Sequence, residues 1–501
     1  MIHKFSNIPS PPIAYLVFEN VLSIPNNTAL VINKNEYSYY NLWQLVNRIY
    51  QLIPTDKTYN HIGIYCNDDV QTYASIIAVN LYGAAYVPLN NLFPAARNKN
   101  YAKQCNLELI LSSTQNDDLK IIAENIHVIN TSINEILMSE KTINFVDYRK
   151  TFQPISYILF TSGTTGNPKG VPVSHNNLFF FFNYFLKHYK FNSDDKFLQV
   201  YELSFDVSVF SFFMPLLTGG TCYILPIDGI KYLKIAEFLT KENITVVSMV
   251  PTVLRYLEPY MDEIKLPNLR YSFFSGDALL HHLAVKWNRV LPNGEIHNFY
   301  GPTETTIVCS RYIFHKKDSL QESKNNIVPI GKLFDGMDFL IVDEENKPSE
   351  KGELCLAGEL VVSNYLNNEN EDKFFRFNNQ KYYKTGDIVS LNMFGNFVFY
   401  GRTDSQVKIN GYRIELNEVE AAIQKTTNYN CVVICKTLPN NTNELVACIE
   451  TDTLDIPSLS EKLMKILPEY MLPRQYFAVN QFPLNNNGKT DKNKLNQITH
   501  A

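Results

Sequence analysis

The stretch Tyr157-Ile-Leu-Phe-Thr161-Ser162-Gly163-Thr164-Thr165-Gly166-Asn-Pro-Lys169-Gly170 runs from an apolar strand into a loop rich in glycine and hydroxyl side chains. Glycine lets backbone N–H groups approach phosphate oxygens, and serine and threonine hydroxyls add donors. The pattern GxxxxGK[ST] is not met, because Pro168 stands where its second glycine would, and no GxGxxG occurs here. On its own the loop reads equally as a phosphate cradle or as a flexible connection.

Working outward, short apolar runs of strand length recur at His61–Tyr65, Leu107–Ser112, Thr245–Met249 and Tyr271–Phe274. Several are followed by segments with helical spacing, such as Ile230–Lys241. This alternation predicts an α/β fold, a mostly parallel sheet covered by helices. Near residue 380 the pattern changes. Ile388–Phe394 and Asn396–Arg402, around Gly395, predict an antiparallel hairpin. After Asp404 the chain reads strand, helix, strand, with Asn417 and Glu420 as a capping box opening a helix over Glu418–Lys425. The expected organisation is a large N-terminal body, residues 1–403, and a small mobile α+β lid, residues 404–501.

A chain of 501 residues exceeds one ordinary hydrophobic core, as the two-part reading requires. With 45% apolar and 19% charged residues it has the balance of a soluble globular protein, which excludes a disordered chain, a collagen and a coiled coil. A net charge of −5 argues against nucleic-acid binding driven by bulk charge. The 8 cysteines are dispersed, and Cys431-Val-Val-Ile-Cys435 reads as a strand rather than half a zinc site. Sparse cysteines and an N-terminus without a signal peptide predict a cytoplasmic protein. The most apolar run, Leu178–Leu186, is too short to span a bilayer and contains Asn183, so no membrane partner is expected.

Further motifs follow in order: Gly83-Ala-Ala-Tyr-Val-Pro88 before the loop, then Phe205-Asp206-Val207-Ser208 and Asn298-Phe299-Tyr300-Gly301-Pro302-Thr303-Glu304-Thr305-Thr306. Tyr383-Lys-Thr-Gly-Asp387, Gly401-Arg402-Thr-Asp404, Asn410-Gly-Tyr-Arg-Ile-Glu415 and Asn487-Gly-Lys489-Thr-Asp491 complete the series. Each is weak alone. Together, from about residue 37 to 491, they resemble the ordered motifs of adenylate-forming enzymes: acyl-CoA synthetases, luciferases and nonribosomal peptide synthetase adenylation domains. SFDVS, FYGPTETT and NNNGKTD look most like amino-acid adenylation domains and D-alanine–carrier protein ligases.

The resemblance implies two half-reactions, in which a carboxylate attacks the α-phosphorus of ATP and a thiol then captures the acyl adenylate. It assigns Thr161, Ser162, Gly163, Thr164, Thr165 and Lys169 to the β- and γ-phosphates, Glu304 to Mg²⁺ and Thr303 to the α-phosphate. Tyr300 would stack on adenine, Asp387 would take both ribose hydroxyls, and Arg402 would reach ribose or phosphate. Lys489 would be the catalytic lysine bridging carboxylate and α-phosphate. Asp404 would be the hinge of a lid that turns between half-reactions, presenting Lys408–Glu415 to the cleft and withdrawing Lys489 in the second pose.

Asp206 aligns with the aspartate that pairs with a substrate ammonium, since a buried ammonium needs a counter-charge; otherwise it reads as a helix N-cap. By motif, Val207, Phe210, Ser248, Phe273, Ser275, Phe299, Ile307 and Val308 would line the side-chain pocket. None is charged and three are phenylalanines, which implies a small uncharged amino acid, with an aromatic cage as the opposite reading. No carrier attachment motif or condensation motif is present, so a separate phosphopantetheinylated carrier protein is the expected acceptor. The rival readings are an acyl- or aryl-CoA ligase of the same fold and an inactive ATP-binding relative.

Overall fold

The computed structural model describes residues 12–133, 154–163, 167–315, 319–324, 326–368, 371–438, 442–483 and 490–499. Among these, the N-terminal body is built on sheets of six, nine and five strands. In the six-stranded sheet Ala85–Asn90 is buried at every position and pairs in parallel with His61–Cys66, as a strand covered on both faces must. The phosphate-loop segment closes the edge of this sheet. Ile155–Thr161 and Lys169–Ser174 form an antiparallel hairpin with Thr161 opposite Lys169.

At the centre of the nine-stranded sheet, Lys196–Gln199, Val246–Met249, Tyr271–Phe274 and Glu295–Tyr300 lie side by side and parallel. Their crossovers carry the helices Val207–Thr218, Lys231–Lys241 and His281–Val290. Side chains alternate between two cores. Phe197, Val246, Phe273 and Phe299 join one, while Leu198, Val247, Phe274 and Ile296 join the other. The third sheet is antiparallel, and in it Gln380–Leu391 pairs with Phe397–Arg402 so that Asp387 sits opposite Arg402.

Beyond Arg402 the described strands pair only with one another. Gln406–Ile409 and Tyr412–Glu415 form a hairpin whose central residues, Asn410 (φ 52°) and Gly411 (φ 83°), are left-handed, the geometry of a tight two-residue turn. Cys431–Thr437, Asn443–Glu450 and Gln475–Val479 form a separate sheet over a core containing Val419, Ile423, Ile449 and Leu463. Cys431 and Cys435 are free thiols on a half-buried strand.

The expected capping box does not form. The helix is Leu416–Thr427, Glu415 is its N-cap residue without a side-chain cap, and Glu420 accepts a hydrogen bond from the Val433 backbone N–H at 2.8 Å. The neighbouring strand offers Glu420 a donor that local sequence cannot show. No described helix is long and apolar enough to cross a membrane.

Candidate active site

A cavity of about 330 Å³ opens at the C-terminal ends of the parallel strands, where an open α/β sheet places its ligands. Tyr201, Val250, Ser275 and Gly301 line it from just beyond four of those strands. The 406–415 hairpin closes it from the other side with Lys408, Gly411, Tyr412 and Arg413.

Tyr300, Asp387 and Arg402 meet at one wall of this cavity. The Tyr300 hydroxyl donates to Asp387 Oδ2 at 2.6 Å, and Arg402 Nη1 donates to Oδ1 at 2.6 Å. Both carboxylate oxygens keep lone pairs for further donors. Arg402 also grips Asp404 with two hydrogen bonds, of 2.7 and 2.8 Å. Burial pushes the Asp404 carboxyl up, and the guanidinium more than offsets it, holding the group below its ordinary range.

Thr161 and Ser162 line the cavity, whereas Gly163 does not. A Cβ on Gly163 would sit 1.7 Å from the Asn167 carbonyl oxygen, so no larger residue fits that bend. Lys169 is not on the loop. It opens the return strand and is only 4% exposed, and burial pulls its pKa down. Thr164, Thr165 and Lys489 lie outside the described residues.

Glu304 is fully buried in a short turn, Thr303–Thr305, with Thr303 facing the cavity. The Tyr365 hydroxyl donates to Glu304 Oε1 at 2.6 Å and Arg413 Nη1 donates to Oε2 at 2.9 Å. Burial alone would raise the Glu304 carboxyl, but Arg413 dominates the balance and lowers it. A hard cation needs only one or two protein oxygens beside phosphate. The carboxylate of Glu304 has the donor chemistry Mg²⁺ takes, and in this structure the Arg413 guanidinium occupies it.

Asp206 takes the N-cap position of the helix Val207–Thr218, yet its side chain caps nothing. Burial pushes its carboxyl from 3.8 up to about 6, against hydrogen bonds from Thr303 and the Val207 backbone. Val207, Ser275 and Ile307 line the cavity beside it. Thr306 and Ile307 hold φ angles of 56° and 72°, a strained conformation for β-branched residues that turns Ile307 toward the ligand space. Phe210, Phe273, Phe299, Ser248 and Val308 are buried but do not reach the cavity wall. The three rings pack on one another and on Phe185, with Phe273 and Phe299 edge to face at 5.2 Å. They form a solid floor rather than an open cage.

The family model described as AMP-binding enzyme matches residues 17–366. The chain belongs to the AMP-binding enzyme family. It is 30% identical to zwittermicin A synthase ZmaJ of Bacillus cereus, over 95% of this chain and 93% of that one. It is 31% identical to the D-alanine–D-alanyl carrier protein ligase of Lactococcus lactis, over 96% of this chain and 98% of that one. The Vibrio cholerae adenylation domain AlmE, solved with glycyl-adenosine-5′-phosphate, superposes with a TM-score of 0.84 at 26% identity over 98% of both chains. This AMP-binding enzyme is therefore an adenylate-forming, ATP-using ligase, with the expected parallel-sheet body and smaller C-terminal part.

Three site residues of this AMP-binding enzyme escaped the sequence reading. Tyr365 and Arg413 hold Glu304, and Glu418 of the 416–427 helix accepts from Arg97 at 2.7 Å and from the Gly163 N–H at 3.3 Å. The Arg413 carbonyl in turn accepts from the Ser162 hydroxyl at 3.0 Å. Arg413 lay inside the quoted Asn410–Glu415 motif, where its charge was the available signal. Tyr365 had none.

Proposed function

We propose that this protein activates a small uncharged amino acid as its adenylate and passes it to the phosphopantetheine thiol of a separate carrier protein. The single observation that carries the amino-acid reading is Asp206, a carboxylate facing the cavity that makes no salt bridge among the described residues, although the Arg413 charge acts on it. An ammonium group is the ligand that relieves such a charge, and a simple fatty or aryl acid has none to offer. That is the ground for preferring this reading over a CoA ligase. The interlocked phenylalanine floor supports a small side chain, as does the glycyl adenylate bound by AlmE. The name of the Lactococcus relative supports a carrier protein as acceptor.

In the first half-reaction Asp206 anchors the ammonium so that the substrate carboxylate meets the α-phosphorus in line, and pyrophosphate leaves. Thr161, Ser162 and Lys169 supply donors and charge to the departing phosphates, with Thr164 and Thr165 assigned beside them. Asp387, Tyr300 and Arg402 fix the nucleoside, and Lys489 offsets charge on the transferring oxygen. Mg²⁺ on Glu304 would neutralise phosphate charge. In the second half-reaction the lid presents Lys408–Glu415 to the cavity, with Asp404 as hinge, and the thiol sulfur displaces AMP. The hairpin facing the cavity supports reading the present arrangement as this second pose. An ATP–pyrophosphate exchange screen over all amino acids, followed by transfer to the free thiol of a phosphopantetheinylated carrier or of coenzyme A, tests the proposal. Exchange with aryl or fatty acids alone would overturn it, as would no exchange with any acid.

A further inference from the structure

The AMP-binding site contains a residue that the motifs do not point to. Tyr201 lies two positions beyond the strand Lys196–Gln199, and its backbone is pinned at both ends by the Gln199 side chain, at 2.7 and 3.0 Å. Beyond the strand end Tyr201 packs against the core of Leu198, Val247 and Phe274, while Ser248 shares a face with Val246 and Ser275 with Phe273. The C-terminal ends of three neighbouring strands therefore each bring a hydroxyl residue to the cavity region. Tyr201 and Ser275 line the cavity, and Ser248 is buried behind them. The Tyr201 hydroxyl faces both serines and feels the Asp206 charge. It is fully buried and completes no hydrogen bond of ordinary geometry. A buried hydroxyl in that condition calls for a partner.

We propose that Tyr201, with Ser275 beside it, determines specificity for a hydroxyl on the substrate side chain, making serine the preferred amino acid among those that fit above the floor. This inference rests on the amino-acid reading of the cavity and narrows it. The substrate hydroxyl would take up the unused hydrogen-bonding capacity of Tyr201. A site built to bond a hydroxyl also rejects the analogue that lacks one, because its own polar group is then left unpaired. Alanine is that analogue, and its smaller size gives the phenylalanine floor no reason to exclude it.

The test compares kcat/KM for serine and alanine in ATP–pyrophosphate exchange, in the native protein and in Tyr201→Phe. It also compares the affinities of seryl and alanyl sulfamoyladenosine by calorimetry, which needs no turnover. The expected native preference for serine is at least tenfold in both measurements, and Tyr201→Phe reduces it at least tenfold. A Ser275→Ala protein, with melting monitored alongside, moves the ratio in the same direction and keeps the test open should Tyr201→Phe fold poorly. Equal or better use of alanine by the native protein overturns the inference while leaving the amino-acid reading intact. So does a serine-to-alanine ratio that neither substitution moves. Binding of AMP with neither analogue bound would overturn both together.

Discussion

Burial that holds the Asp206 carboxyl near 6 rather than 3.8 makes the ionised form costly in the ligand-free protein. The folded state binds this proton more tightly than the unfolded chain, so stability falls as pH rises from about 4 through 6 and stays reduced above that. The shift corresponds to roughly 3 kcal/mol at neutral pH. Asp206→Asn should therefore raise the ligand-free melting temperature at pH 8 and much less at pH 4.5, as calorimetry would register. The same titration governs binding. If the carboxylate pairs with an ammonium, kcat/KM for the amino acid falls below a pH of about 6. Asp206→Ala should weaken amino-acid binding by roughly 3–5 kcal/mol and change the KM for ATP far less. An unchanged amino-acid KM would remove the charge-pairing role. For Lys489, replacement by alanine should slow adenylate formation by about a hundredfold or more. Thioester formation from supplied adenylate should persist, because the charge is needed only while pyrophosphate leaves. Equal losses in both steps would exclude the two-pose reading.

Among the elements, the 406–415 hairpin is the one the proposal assigns to the second step, and Gly411 at its tip sets how near it comes. A Cβ there would lie 2.3 Å from Val250 Cγ1, on a residue whose φ of 83° already disfavours any side chain. Gly411→Ala should push the hairpin off the body, reducing thiol transfer tenfold or more while pyrophosphate exchange survives; matched losses in both assays would show that the hairpin acts on neither step selectively. The hairpin around Gly395 was legible in the sequence, as were the central strands, because strand length and turn chemistry are local properties, whereas the 406–415 stretch was read only as a motif. The capping box failed because Glu420 found a donor on another strand. The three phenylalanines were placed in the pocket by motif, but only packing shows that they close upon one another. Lys169 was expected on a loop, and its pairing with Thr161 instead makes it the start of a strand.

Across the whole molecule, the lid docks through pairs far apart in sequence: Arg413 with Glu304, Arg97 with Glu418, and Tyr412 with Glu202. Glu304 and Arg413 stand 109 residues apart, and Arg97 and Glu418 stand 321 apart. Periodicity and spacing carry no information at that range, which is why the motif residues were legible and their mutual grip was not. Buried ion pairs are weakly screened, and removing one partner strands the other at a cost of about 3–5 kcal/mol. Glu418→Gln should accordingly loosen the lid, seen as a broader distance distribution between fluorophores on the body and the 431–450 sheet; an unaltered distribution would mean that other contacts hold it. Under the proposed cycle, the seat of Arg413 on Glu304 would also give that cycle a direction. On the two-pose proposal, a guanidinium seated on that carboxylate would leave returning pyrophosphate no free anchor for its metal, so the docked pose would guard the adenylate against reversal as well as present it to a thiol. Emptying that seat with Arg413→Ala should make pyrophosphorolysis of a preformed adenylate faster even as forward transfer slows, turning a one-way valve into a leak.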